Sequence, residues 1–432
     1  MRPGALKWLS LRVLAGGVLI VAAMIAMQFL HDPGGSTPSA PVTDAGAQVR
    51  QGQYLAQVGG CMACHTSRGG AAYAGGRAIA TPFGALYSPN ITPDAASGIG
   101  QWSADDFWRA LHNGKSRDGR FLYPAFPYTE YTHMPRADSD ALYAYFKSLP
   151  AVSQPNRVHA LRFPYDQRSL LAAWRALYFT PGEFRADARR SAQWNRGAYL
   201  VQGPGHCSAC HAGRNALGAS QAGAALGGGL IPVVGWYAPS LTADEEAGLG
   251  SWSEVQIAQL LTTGVTNRAT VFGPMAEVVA QNLQHLSASD AAAMAHYLKS
   301  LPPTASERSV DPAPREAVDE AWLARGAKLY GEHCTACHKD DGRGAAPAYP
   351  PLAGNRAITM TSAINPIRIV LNGGFAPGTA GNPRPYSMPP YGPALSDADV
   401  AAVVSYIRNA WGNHAAPVSA GEVGRNRAVP VD

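Results

Sequence analysis

Apolar residues recur at helical spacing near the end of three successive parts of the chain. Each run includes a tyrosine: Leu142, Tyr145 and Phe146 in the first part, Met294, Tyr297 and Leu298 in the second, and Val400, Val403, Tyr406 and Ile407 in the third. Residues spaced by three and four lie on one face of a helix, so the pattern predicts three closing helices with a buried face. A Ser-Asp pair before each run predicts the helix cap: Ser139-Asp140, Ser289-Asp290 and Ser396-Asp397.

The three parts share more than their closing helix. Each opens with a short predicted helix that carries Gly-x-x-Leu, starting at Gly52, Gly197 and Gly326. The first two parts also share Gly-x-Trp-Ser, around Trp102 and Trp252. Repetition of one supersecondary unit indicates tandem domains of the same fold. We therefore expect a mainly α protein with tandem domains at 49–150 (the first part), 193–302 (the second part) and 319–412 (the third part), joined by loop-rich connections.

The N-terminal segment, residues 1–48, has the pattern of a membrane segment. An uncharged stretch from Val13 to Leu30 follows Arg2, Lys7 and Arg12. Its length is near that of a bilayer span, which predicts an N-terminal hydrophobic helix that is retained as an anchor. A cleaved signal peptide is the alternative. The basic flank stays in the cytoplasm, so the rest of the chain is expected on the periplasmic side of a bacterial inner membrane.

Three further segments lie between or after the domains. Residues 151–192 form an aromatic connector, which either packs between domains or meets a partner or the membrane. Residues 303–318 are rich in proline and charge and predict a surface linker. Residues 413–432 are polar and predict a mobile tail.

The composition indicates a folded, loop-rich protein and gives no support to a role in nucleic-acid binding. The chain is 46% hydrophobic and 15% charged, which predicts a folded protein, and its 46 glycines and 34 prolines predict many loops. The net charge of +5 is mild, and no basic cluster with interleaved aromatic residues supports nucleic-acid binding. The sequence also lacks a dinucleotide-binding Gly-x-Gly-x-x-Gly at a strand–helix junction and a nucleophile elbow.

All six cysteines fall in three C-x-x-C-H motifs, one in each part. Two thiols at this spacing on a helical turn reach the two vinyl groups of one porphyrin, and the adjoining histidine becomes the proximal ligand of the iron. A thioredoxin-type pair or a zinc site does not account for three such motifs with no cysteine left over. The sequence thus predicts three covalently bound haem c groups, attached at Cys61 and Cys64, Cys207 and Cys210, and Cys334 and Cys337, with His65, His211 and His338 as proximal ligands.

A low-spin haem that transfers electrons needs a second axial ligand, usually methionine or histidine. The first part offers Met134, the second Met275 or Met294, and the third Met360 or Met388. Met134, Met275 and Met388 lie beside a proline, which stiffens the loop. Met294 lies on the apolar stripe of a helix, and Met360 follows its haem motif too closely. We predict Met134, Met275 and Met388 as iron ligands, with bis-histidine ligation at one site as the alternative.

The order of these features resembles one family. The three C-x-x-C-H motifs, the connector from Phe163-Pro164-Tyr165 to Trp174, and Arg196-Gly197-Ala198-Tyr199-Leu200 before the second motif are similar to the three-haem cytochrome c subunit of membrane-bound bacterial dehydrogenases. Members of that family serve enzymes for alcohol, gluconate, fructose and sorbitol. The resemblance covers residues 48–412 and implies the same histidine and methionine ligands.

The resemblance also implies a role. The chain would be an electron-transfer subunit and not itself an enzyme, docked to a catalytic dehydrogenase subunit, with or without a small subunit. A flavoprotein is the preferred partner, and a molybdenum protein is the alternative. Electrons would pass to ubiquinone in the membrane or to a terminal oxidase. A stand-alone membrane-tethered cytochrome c relay and, less favoured, a haem peroxidase are the competing interpretations.

Overall fold

Helices make up most of the regular structure in the computed structural model, which describes residues 22–29, 43–221, 225–244, 248–303 and 319–430. Strands within these residues are short and form one three-stranded and two two-stranded sheets. The mainly α fold expected from the sequence is therefore confirmed. By their internal contacts the residues divide into two units. The first contains the chain up to Gln53, His65–Ile79 and Phe83–Arg185, and the second contains Tyr54–Cys64, Ala80–Pro82 and the residues from Ala186 onward.

The first part and the connector contain six α-helices, one 3₁₀ helix (Arg168–Leu170) and three strands among the described residues. The helices are α1 (Ala45–Val58), α2 (Cys61–His65), α3 (Ala104–Asn113), α4 (Tyr128–Tyr131), α5 (Arg136–Ser148) and α6 (Leu171–Tyr178), and the strands are β1 (Ala78–Thr81), β2 (Gly84–Tyr87) and β3 (Ala160–Leu161). Strands β2 and β3 are antiparallel, with Gly84 opposite Leu161. The connector therefore adds a strand to the sheet of the first part.

The second and third parts and the C-terminal segment contain the remaining elements. Those of the second part are α7 (Ala192–Gln202), α8 (Ser208–His211), β4 (Gly229–Ile231), β5 (Trp236–Ala238), α9 (Glu254–Thr263), α10 (Pro274–Gln281) and α11 (Ala288–Lys299). Those that follow are α12 (Glu320–His333), α13 (Thr335–His338), α14 (Arg356–Thr359), α15 (Ile364–Asn372), β6 (Gly374–Phe375), β7 (Ser387–Met388), α16 (Asp397–Asn409) and α17 (Ala420–Arg427). Strand pairs β4–β5 and β6–β7 are antiparallel.

The opening and closing helices of each part cross at a glycine. A Cβ atom on that glycine would collide with a backbone carbonyl of the closing helix, and would lie 2.7–2.9 Å from the Cβ atom of a tyrosine one turn later. The glycine, the residue with the carbonyl and the tyrosine are Gly52, Ala141 and Tyr145; Gly197, Ala293 and Tyr297; and Gly326, Ala402 and Tyr406. Only a residue without a side chain permits this approach of two helix backbones, which explains the glycine of Gly-x-x-Leu.

The caps of the closing helices differ from the prediction in two of the three parts. Ser396 caps α16, as predicted, and completes a capping box with Asp399. The N-cap of α11 is Ser287, two residues before the predicted serine. Helix α5 starts after Pro135, so Ser139 lies inside it. Pro135 is the N-cap of this helix and has an extended backbone, so α5 begins at Arg136, before the Ser-Asp pair.

The connector lies within the first unit, where α6 and the 3₁₀ helix before it bury one face and expose the other. Arg175 is buried, and its guanidinium lies 5.1 Å from the ring centre of Phe121 and 4.8 Å from that of Phe179. Leu170 and Leu177 are 53% and 67% exposed. Each of the two interpretations that the sequence left open thus applies to a different face of the connector. The buried face packs within the first unit, and the exposed face is an apolar surface.

The C-terminal segment is helical, and the prediction of a mobile tail over residues 413–432 is wrong for the described residues. Val418 and Val423 are buried in the core of the third part. Arg427 forms an ion pair of 2.7 Å with Asp397. Ser419 and Glu422, whose polarity suggested a mobile tail, form the capping box of α17.

Two predicted segments fall largely outside the described residues. Within the predicted N-terminal hydrophobic helix, only residues 22–29 are described, and these are helical. None of the helices in the described ranges is long and apolar enough to cross a bilayer. The predicted linker 303–318 is described only at Pro303.

Candidate haem sites

Each C-x-x-C-H motif lies on a single helical turn that follows the opening helix of its part. The turns are α2, α8 and α13, with Cys207 and Cys334 as the residues that precede the last two. A turn of helix places residues three apart on one side. The two thiols of each motif therefore point in one direction with the histidine beside them, as attachment to one porphyrin requires.

The three predicted proximal histidines are held in the same way. In each case Nδ1 donates a hydrogen bond to the backbone carbonyl of a proline. The distances are 2.8 Å from His65 to Pro89, 2.7 Å from His211 to Pro239, and 3.0 Å from His338 to Pro350. A carbonyl oxygen can only accept, so Nδ1 carries the proton and Nε2 has a free lone pair. This is the tautomer and the supporting hydrogen bond that a metal-bound histidine needs, and the donor set fits a haem iron.

Burial keeps these imidazoles neutral. It lowers the pKa of His65 and of His338 below the ordinary histidine value. The pKa of His211 falls to about 4, because of burial first and then the positive charge of Arg356. A histidine must be unprotonated to bind iron, so all three are in the binding form at neutral pH.

Two of the six predicted attachment thiols lack the lowered pKa of a redox-active cysteine. Burial, followed by the neighbouring Cys64, raises the pKa of Cys61 to about 12. Burial, followed by Cys337, raises the pKa of Cys334 to about 11. A catalytic dithiol instead needs a lowered thiol pKa, because the thiolate is the reactive form. The thioredoxin-type interpretation therefore loses support at the first and third motifs.

The three predicted methionine ligands occupy different local settings. Met134 is 1% exposed and lies in the turn between α4 and α5. Met275 is the second residue of α10 and is partly buried. Met388 lies on β7 opposite Gly374 and packs, together with Cys334, against the core of the third part. The structure thus brings a methionine and an attachment cysteine to one core in the third part, and ligation by all three methionines stays a prediction.

The rejected methionines are core residues. Met294 on α11 is 0% exposed and Met360, directly after α14, is 4% exposed. The backbone carbonyl of Met360 accepts a hydrogen bond from the buried Arg408. Their positions agree with the packing role that the sequence suggested for Met294.

Several residues that the sequence analysis did not single out support the loop of Met134. His112 is buried, stacks on Trp108 with 4.4 Å between ring centres, and donates from Nδ1 to the carbonyl of Thr132 over 3.0 Å. On the other side, the backbone N–H groups of Gly182 and Phe184 donate to Thr132 Oγ1 and to the carbonyl of residue 133, both over 2.9 Å. The position of His112 on the apolar face of α3, four residues after Trp108, is the signal that indicates burial.

Comparison with known proteins agrees with these sites. The cytochrome c family profile matches residues 49–150, 195–302 and 323–411, and each match contains one C-x-x-C-H motif. The gluconate 2-dehydrogenase cytochrome c subunit of Pantoea cypripedii is 41% identical over 395 residues, 87% of this chain and 89% of that protein. The cytochrome c subunit of alcohol dehydrogenase (quinone) from Komagataeibacter europaeus is 39% identical over 381 residues, 85% of this chain and 81% of that one.

A third relative is a longer protein. It is a nicotinate dehydrogenase subunit of Pseudomonas putida, 43% identical over 383 residues, which are 86% of this chain but 31% of that protein. The similarity therefore extends along most of the present chain in all three cases. With the family profile matching three long segments, the chain belongs to the cytochrome c family.

Proposed function

We propose that this protein is the three-haem electron-transfer subunit of a membrane-bound dehydrogenase. The observation that carries the proposal is the threefold occurrence of a C-x-x-C pair followed by a histidine whose Nδ1 is fixed by a proline carbonyl. Haem c, the covalently bound cofactor of the family, supplies an iron that gains and loses one electron. The relatives from Pantoea cypripedii and Komagataeibacter europaeus support a partner that oxidises a sugar acid or an alcohol.

The residues of the chain have three tasks in this role. The paired cysteines would bind each porphyrin covalently, and His65, His211 and His338 would bind its iron through Nε2. Met134, Met275 and Met388 are the proposed second ligands. Methionine opposite histidine gives a higher reduction potential than two histidines do. Such sites suit the acceptance of electrons from a dehydrogenase more than the reduction of peroxide, which needs an open iron.

The chemistry on the substrate belongs to a partner chain in this proposal. A flavoprotein catalytic subunit is the preferred partner, with or without a small subunit, and ubiquinone or a terminal oxidase is the acceptor. A molybdenum protein is the second candidate for the partner. The similarity to a nicotinate dehydrogenase subunit supports nicotinate as a second class of substrate for the partner. The N-terminal segment would hold the protein at the periplasmic side of the inner membrane. The exposed face of the connector, Leu170 and Leu177, is the proposed surface toward the catalytic subunit.

Haem counting tests the proposal directly. The purified protein is expected to contain three haems per chain, measured as the absorbance of the pyridine complex against protein concentration. Replacing Cys207 and Cys210 by alanine should lower the count to two, because the second porphyrin loses both covalent bonds. Replacing Ser208 by alanine, inside the same motif, is the control and should keep three. A native count of two would contradict the three-haem proposal.

A further inference from the structure

The third part of the chain contacts the loop that holds the proximal histidine of the second part. Strand β5 leads directly into Pro239, the acceptor of His211 Nδ1. Asn365 on α15 binds the backbone of this strand twice: Tyr237 N–H donates to Asn365 Oδ1 over 3.0 Å, and Asn365 Nδ2 donates to the Tyr237 carbonyl over 2.8 Å. The backbone just before Pro239 is therefore fixed by a side chain from the third part.

Arg356 is a second side chain of the third part that binds the loop of His211, and it carries a positive charge. It is the first residue of α14, and its Nη1 donates to the carbonyl of Ser240 over 2.8 Å, one residue after Pro239. Its guanidinium lies 5.4 Å from the ring centre of Trp252, and that of Arg268 lies 5.3 Å from the same ring. In the described ranges of the chain, no carboxylate forms an ion pair with Arg356. Burial, and then Arg268, lowers its pKa to about 10, so it stays charged at neutral pH.

The other two proximal loops are held by neutral amides. In the first part, the N–H of Asn90, next to Pro89, donates to Asn156 Oδ1 over 2.7 Å. In the third part, the carbonyl of Pro351, next to Pro350, accepts from Asn355 Nδ2 over 2.9 Å. The three sites are alike in their histidine–proline hydrogen bond and differ in the charge of the side chain beside it.

We propose that Arg356 raises the reduction potential of the second haem, so that the third part of the chain sets the potential of a haem bound to the second part. A ferric haem carries one more positive charge than a ferrous haem. A fixed cation close to the proximal ligand disfavours the ferric form, and the effect is larger in a partly buried site than in water. Arg356 acts on the haem through its charge, and its hydrogen bond to the carbonyl of Ser240 holds that charge beside the loop of His211. The inference rests on the proposed function, since it assumes a haem at the second motif.

Redox titration of charge variants tests the inference. Optical titration of the whole protein should resolve three reduction waves, and the wave that is missing after Cys207→Ala and Cys210→Ala belongs to the second haem. Arg356→Gln should shift that wave to lower potential and leave the other two in place. Arg356→Lys keeps the charge and should leave it near its native position. Arg425→Gln removes the same charge from the exposed surface of α17 and is the matched control.

Two results would overturn the inference. One is a second-haem wave that does not move in Arg356→Gln although three haems are bound. The other is an equal shift in Arg356→Lys and Arg356→Gln, which would assign the effect to geometry and not to charge. Arg356→Met, which keeps an aliphatic stem against Trp252, replaces Arg356→Gln if that variant folds poorly. A native haem count of three with unmoved waves rejects the inference alone, whereas a native count of two rejects the proposed function.

Discussion

The carboxylate of Asp290 accepts hydrogen bonds from two other side chains of the second unit. Tyr54 Oη donates over 2.5 Å, and Arg196 donates through Nε and Nη2 over 2.8 Å each. Tyr54 lies on the opening helix of the first part, so the contact joins two parts of the chain. Burial alone would raise the pKa of Asp290, but the hydrogen bonds from Arg196 and Tyr54 bring it below its ordinary value.

Acid should weaken this contact. Because the pKa of Asp290 is lower in the folded chain than in the unfolded chain, its contribution to stability is complete above the unfolded pKa. The contribution is lost as the pH falls from about 4 through the folded pKa. Asp290→Asn is expected to lower the free energy of unfolding at neutral pH by about 1.5–3 kcal/mol, the range for hydrogen bonds to charged groups. Thermal unfolding at a series of pH values measures the change.

Asp166→Asn is the control for this prediction, since Asp166 is an exposed carboxylate. It should leave the unfolding curves unchanged. In Asp290→Asn, part of the native loss of stability below about pH 4 should disappear, because the group that becomes protonated is gone. Equal effects of the two substitutions would contradict the role given to Asp290.

Sequence predicts residue roles that depend on chain neighbours and misses those that depend on distant ones. The three C-x-x-C-H motifs each occupy one helical turn, because their chemistry needs only local spacing. Asp290 reads as a helix-cap residue, whereas its partner Arg196 lies 94 positions away. His112 and the connector backbone at Gly182 likewise meet the loop of Met134 only in the folded chain.

At the scale of the secondary-structure elements, all three parts of the chain have opening and closing helices that cross at a glycine. The Gly-x-x-Leu phrase was visible as a repeat, but its cause, the close approach of two helix backbones, requires the pairing of helices from opposite ends of each part. The helix caps were likewise predictable only in part. A capping box inside one helix was predictable for α16, whereas α5 begins after a proline that the Ser-Asp pattern did not consider.

Helix α12 offers a matched test of the crossing, because it contains two glycines in different surroundings. A Cβ atom at Gly326 would collide with the carbonyl of Ala402, while one at Gly331 would meet nothing within 4 Å. Gly326→Ala should lower the free energy of unfolding by about 1–3 kcal/mol through overpacking. Gly331→Ala should raise it by about 0.5–1 kcal/mol, because alanine favours the helix. Helical circular dichroism during thermal unfolding compares the two, and a stabilising Gly326→Ala would contradict the crossing.

At the scale of the whole molecule, the connector presents an exposed apolar face. The sequence predicted an apolar aromatic segment, and the structure separates its buried face, with Ala172 and Arg175, from its exposed face, with Leu170 and Leu177. Which face is covered could not be predicted, because it depends on the pocket that Phe121 and Phe179 form for Arg175. An exposed apolar face of this kind suits protein–protein contact.

Capture of the native complex tests this surface. The tagged chain, purified in mild detergent from its own membranes, should retain a flavoprotein or a molybdenum protein, identified by mass spectrometry. Leu170→Asp with Leu177→Asp should lose that subunit, because charges are costly in an apolar interface. Val255→Asp, on a residue that is 76% exposed on α9, is the control and should retain it. Recovery of oxidase subunits alone would favour the stand-alone relay.

The prolines beside the proximal histidines have a kinetic consequence. Pro89, Pro239 and Pro350 each have φ fixed by the pyrrolidine ring, and the hydrogen bond from the imidazole restrains the orientation of each carbonyl. The imidazole rings would then keep one orientation in both oxidation states of the iron. Dipoles that are already in place need no rearrangement when charge arrives. The reorganisation energy of each transfer would be small, and the rate would depend on the distance between haems and not on motion of the polypeptide.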